Sequence, residues 1–164
     1  MAKETTNQDQ LLRQQLAKML DWGEAHVDFR TALGKMPFEL QGRVPAGMPY
    51  SAWQLLEHMR IALWDILEFS RGSQHTSPKW PEGYWPATVS PPDGKAWKYS
   101  ADSFLRDLEG MRKLIADPAR DLFQPLAHGS GQTLLREALL AADHNAYHLG
   151  QLVLVRKALG AWPE

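Results

Sequence analysis

The chain has 164 residues, the size of one ordinary domain, and its 44% hydrophobic and 23% charged content is that of a folded globular protein, not a disordered one. Its 18 basic and 19 acidic residues leave a formal net charge of -1, without the basic excess of a dedicated nucleic-acid binder. The absence of cysteine excludes disulfides, thiolate metal sites and cysteine nucleophiles; no apolar run nears the roughly 20 residues of a membrane span, and the polar start MAKETTNQDQ has no signal region, so the expectation is a cytoplasmic protein that engages neither membrane nor nucleic acid.

Residues 8–33 read as a first helix, with Leu12, Leu16, Met19, Leu20, Gly23 and Val27 at three- and four-residue steps. A stretch rich in breakers follows over residues 34–49, with Pro37, Gly42, Pro45, Gly47 and Pro49. The second helix, residues 51–71, opens on Ser51 and Gln54, which fit a capping box with Tyr50 and Leu55 as its hydrophobic staple, and it ends before Gly72. Residues 72–97 fit neither helical nor strand periodicity. Five prolines and Trp80, Trp85 and Trp97 make them a long connection, and the tryptophans argue that it packs against the helices. The third helix covers residues 100–116 on a stripe of Phe104, Leu108, Met111 and Ile115, stopped by Asp117-Pro118. The fourth covers residues 132–159, with Gly160 as its C-terminal cap. The expected fold is all-α: a single four-helix bundle with a long crossover between helices 2 and 3.

The chemistry concentrates on histidines. His144 and His148 stand four apart in the fourth helix, so their imidazoles share a face about one turn apart, between Leu140, Ala141 and Leu152. His58 lies in the second helix between Leu55 and Ala62, on its inward side. Three histidines converging from two helices would leave a position open to water, a catalytic type of metal sphere. The same residues also read as hydrogen-bonded core histidines, and spacing alone leaves both readings open. By ligand softness the set suits zinc, nickel, copper or iron. Gln54, one turn before His58, and Gln151, about one turn after His148, are candidates to orient a ligand or a substrate. His26 reads as a surface or core residue, His75 and His128 as exposed loop residues, and Asp143 as a neighbouring or surface group. The zincin pattern fails, because Asn145 stands where its glutamate would. No nucleophile elbow, dinucleotide loop or phosphate loop is present.

The segments SAWQLLEHMRIA and HNAYHLGQL, with the tryptophan-rich WPEGYWP connection, resemble the DinB/YfiT-like superfamily of metalloenzymes over nearly the whole chain. The resemblance implies a four-helix bundle in which His58, His144 and His148 bind one divalent metal ion, most often nickel or zinc. It also implies a homodimer, for which Trp22 and Phe29, off the main stripe of the first helix, offer apolar surface. The activity it implies is that of a thiol-dependent transferase or isomerase; a metal held by three neutral histidines suits hydrolysis equally well, so the expected activity is that of a metal-dependent thiol transferase or hydrolase acting on a small-molecule substrate. With no cysteine in the chain, any thiol would be a low-molecular-weight cosubstrate. The alternative is a non-catalytic metal-binding or stress-related protein.

Overall fold

The computed structural model describes residues 7–163. Among them every regular element is a helix, and strand pairing is limited to one antiparallel bridge between Pro125 and Thr133. In chain order the elements are α1 (Asn7–Met19), α2 (Phe29–Ala32), α3 (Phe38–Gln41), α4 (Ala52–Arg71), a 3-10 turn (Glu82–Tyr84), α5 (Ala96–Ala116) and α6 (Leu134–Ala158).

The first element departs from the expected helix over residues 8–33: α1 stops at Met19 and the chain restarts at α2. Two aspartates supply the reason. Asp21 accepts a hydrogen bond from the Phe29 amide at 3.2 Å, and Asp28 caps α2 by accepting from the Thr31 amide at 2.7 Å. Each offers the backbone an alternative to continuing the helix. The break swings Phe29 inward, where it is 1% exposed with its ring 4.9 Å from that of Phe104. Phe29 is therefore a core residue and not the surface patch expected for a partner, whereas Trp22 remains exposed.

Helix α4 begins as the capping box requires. The Ser51 hydroxyl accepts from the Gln54 amide at 3.1 Å, and the Gln54 side chain accepts from the Ser51 amide at 3.1 Å. The same hydroxyl donates to the Val89 carbonyl at 2.6 Å, which ties the connection to the start of α4. Helix α5 starts four residues before the expected position, because the Asp93 carboxylate accepts from the amides of Lys95 and Ala96 and sets the chain turning early. Trp97 thus belongs to α5 rather than to the connection. It is buried, and its indole donates to the Leu33 carbonyl. Thr133 caps α6, which closes in a Schellman motif: the Ala161 amide bonds back to Arg156 and the Gly160 amide to Lys157, with Gly160 at φ +65°.

Helix α4 is the central element and packs mainly on α5 and α6, while α1 lies against both. Leu56, Met59, Leu63 and Leu67 of α4 meet Phe104, Leu108, Met111 and Ile115 of α5 and Ala141, Leu149 and Leu152 of α6 in one continuous core. Burying each large apolar side chain contributes about 1.5–3 kcal/mol, which is why three long helices hold their places around sites that carry polar groups. Two buried arginines tie the ends. Arg13 donates to the carbonyls of Ile115 in the last turn of α5 and of Asp117 and Arg120 beyond it, and Arg156 to those of Ala32, Gly34, Lys35 and Ala161. No helix among the described residues is long and apolar enough to cross a membrane.

Because Ser51 serves both the cap and the connection, Ser51→Ala is expected to cost about 1–2 kcal/mol. Guanidinium unfolding would register this as a lower midpoint at an unchanged slope.

Candidate metal centre

The i, i+4 spacing on α6 aims His144 and His148 at one point, and α4 brings His58 to meet them. His58 Nε2 lies 3.1 Å from His148 Nε2 and 3.1 Å from His144 Nε2. The three candidate ligand atoms all fall within 4.8 Å of one another, a grouping that could hold a metal ion. His58 and His148 are buried, at 3% and 8% exposure, and His144 is half-buried. A tetrahedral zinc with bonds of about 2.0–2.1 Å spaces its ligand nitrogens about 3.3 Å apart, close to the 3.1 Å that separates His58 Nε2 from each of the other two.

Hydrogen bonds at the opposite ring nitrogens decide which nitrogens are free. His58 Nδ1–H donates to the Tyr84 carbonyl at 2.7 Å, and His148 Nδ1–H donates to the Gln151 side-chain oxygen at 2.7 Å. In each neutral ring the single proton is thereby held at Nδ1, and Nε2 is left as a bare lone pair pointing into the cluster. His144 Nδ1 has no such partner. The adjacent Asn145, 1% exposed, lies beside it, but its amide falls short of hydrogen-bonding geometry.

The electrostatics favour neutral rings throughout. Burial, helped by the charges His148 and His58 would carry, pushes His144 down to about 4, with Asn145 opposing. Burial also lowers His58, against the Tyr84 hydrogen bond, and lowers His148, against the Gln151 hydrogen bond. Three imidazoles that resist protonation are three imidazoles available to a cation.

Of the other residues singled out in the sequence, Gln151 reaches the cluster through His148, whereas Gln54 spends its side chain on the capping box. His26 bonds to the neighbouring Val27 carbonyl and stands apart. His128 is exposed, as expected, and meets the Phe69 carbonyl. His75 is not the exposed loop residue expected: its side chain is 10% exposed and its Nε2 meets the Asp65 carboxylate at 2.7 Å. Asp143 faces solvent.

The connection adds a wall to the cluster. The Trp85 indole lies flat on the His58 ring, with centroids 3.9 Å apart and planes 3° from parallel, and Tyr50 stacks on the far side of that indole at 4.3 Å. Asp65 accepts from the Tyr84 phenol at 2.6 Å, and burial together with that carboxylate pushes the phenol up to about 12, so it remains a donor. The expectation that the tryptophans pack on the helices thus holds for Trp85 and fails for Trp80, which is 70% exposed. Comparison of the chain with protein-family models, with curated proteins and with solved structures finds no match in any of the three.

A histidine whose folded-state pKa lies below 6.5 takes its proton more readily when unfolded. The resulting stability is complete above about pH 6.5 and drains away as the pH falls toward about 4. Melting of the metal-free protein is therefore expected to weaken across that window, and the His144 ring signals in an NMR titration should keep their neutral positions until about pH 4.

Proposed function

We propose that His58, His144 and His148 bind one divalent metal ion, nickel or zinc, and that the protein is a metal-dependent enzyme of the thiol-transferase or hydrolase type acting on a small molecule. The observation that carries this reading is the convergence of three Nε2 atoms, two of them stripped of protons by hydrogen bonds at Nδ1 and all on rings held neutral by burial. A core histidine placed only for packing would direct a donor at an acceptor; here the lone pairs of His58 and His148 face one another 3.1 Å apart. The likeness of the SAWQLLEHMRIA and HNAYHLGQL segments to DinB/YfiT-like proteins supports the same reading. So does the packing of α4 against α5 and α6. We take α1, α4, α5 and α6 as the four helices of a bundle and the segment before α5 as its crossover.

When bound, a metal held by three neutral ligands supplies nearly undiminished positive charge, which lowers the pKa of a water or thiol at the open position. The chain's own residues do the rest. Tyr84 and Gln151 fix the rings of His58 and His148, and the Trp85 indole covers one face of His58. Because the chain has no cysteine, a thiol at this site would come from a low-molecular-weight cosubstrate.

Metal analysis of the purified protein is expected to find one zinc or nickel per chain. His58→Ala, His144→Ala and His148→Ala should each lose it while keeping their helical circular dichroism, since the apolar stripes of α4, α5 and α6 hold the helices together. Retention of metal at the parent level in all three would sink the assignment. Thiol consumption with electrophiles, set beside ester and amide hydrolysis, separates the two reaction types; silence in both identifies a metal-binding protein without turnover. We further propose a homodimer, for which the exposed Trp22 offers surface. Sedimentation at micromolar concentration should show twice the 18.6 kDa chain mass.

A further inference from the structure

We propose that Asp65 is a positioning residue for the histidine cluster, acting on His58 through Tyr84. The inference rests on the reading of that cluster as a metal centre. Asp65 follows His58 by seven residues on α4, which places it two turns along and on nearly the same face, about 10.5 Å away along the axis. It is a buried carboxylate, 8% exposed, and both of its oxygens are engaged: Oδ1 by His75 Nε2 at 2.7 Å and Oδ2 by the Tyr84 phenol at 2.6 Å.

Tyr84 spans the distance between the two positions. Its phenol is fastened to Asp65, while its backbone carbonyl accepts from His58 Nδ1–H at 2.7 Å. One residue of the connection therefore bridges two points on α4 and runs as a strut beside the helix. His75 fastens an earlier part of the connection to the same carboxylate, and the next residue after Tyr84, Trp85, lies flat on the His58 ring. Ring plane and tautomer of His58 are both set by backbone that Asp65 holds. A loop staple with no bearing on the site would have no reason to end on the one carbonyl that accepts the hydrogen bond of His58 Nδ1–H.

Tyr84→Phe tests this with the least disturbance, because it deletes one oxygen and leaves the carbonyl in the chain; Asp65→Leu removes both attachments and serves as the second variant. Two readouts are taken on the full-length protein. Zinc affinity is measured by competition with a chromophoric chelator. The His58 tautomer is read in the metal-free protein from imidazole ¹⁵N shifts. The parent is expected to bind zinc and to show His58 fixed as the Nδ1–H form. Tyr84→Phe should weaken zinc about tenfold, the scale of lost outer-sphere hydrogen bonds, and should turn the His58 signals into a mixture of tautomers while those of His148, held by Gln151, stay put. A purely structural role would lower the melting temperature and leave the His58 tautomer unchanged. Parent-like zinc affinity together with an unchanged His58 pattern in Tyr84→Phe overturns the inference. A parent that takes up no zinc or nickel overturns the metal reading and this inference with it, and the parent measurement keeps the two failures apart.

Discussion

Lone pairs brought together in a buried place repel one another, and this structure sets those of His58 Nε2 and His148 Nε2 3.1 Å apart. His58 and His148 have each given the direction of their only proton to an acceptor outside the cluster, so the nitrogens that face inward have nothing to share. Burial lowers the tendency of these rings to take a second proton, which closes the simplest way of relieving the repulsion. A cation seated among the three nitrogens would relieve it. What surrounds the cluster can be understood as the means of keeping that arrangement in place: a capped central helix, a neighbouring helix whose i, i+4 spacing supplies two rings, and a connection that supplies an acceptor and an aromatic cover.

Such a cluster needs a rigid frame, and much of the frame is polar. Arg13 and Arg156 are long cations with almost no exposure, yet neither faces a buried carboxylate as its main partner. Their guanidinium groups are satisfied mostly by carbonyl oxygens at helix ends and in the breaker-rich loop. These carbonyls have no helical partner of their own, so each arginine replaces several separate caps with one side chain. For Arg156, burial works against the charged form, and the number of acceptors around it is what makes the position tolerable. Arg156 is two turns beyond His148 on α6, so the anchoring that fixes the end of this helix also limits how far its histidines can drift.

How much of this could be read from the residues depended on whether the signal was periodic. The stripes of α4, α5 and α6 were legible because 3.6-residue spacing is dictated by burial. The capping box of α4 was legible because two side chains at fixed separation perform it. The convergence of His58 with His144 and His148 could be posed, since inward faces of packed helices must meet, although spacing alone left a core reading open. Where local hydrogen bonds override periodicity, the reading fell short. Leu20, Gly23 and Val27 continue the stripe of α1 on paper, but Asp21 and Asp28 offer the backbone competing bonds and the helix ends at Met19. Asp93 likewise starts α5 ahead of its apolar stripe. The role of Tyr84 was beyond reach for a different reason: its contact with His58 is made by a backbone carbonyl, which every residue possesses and no sequence pattern marks.

The stacking of Trp85 on His58 divides the labour between two kinds of chain segment. The three histidine nitrogens sit on helices, where a change of one residue disturbs the core, while the wall beside them is built from an irregular segment laid against that core. Loops of this kind accept insertions and replacements that helices refuse. The connection is therefore more than a cover: because one short run of it supplies both the Tyr84 carbonyl and the Trp85 indole, exchanging it would change the setting of the His58 ring together with the approach to the three histidines.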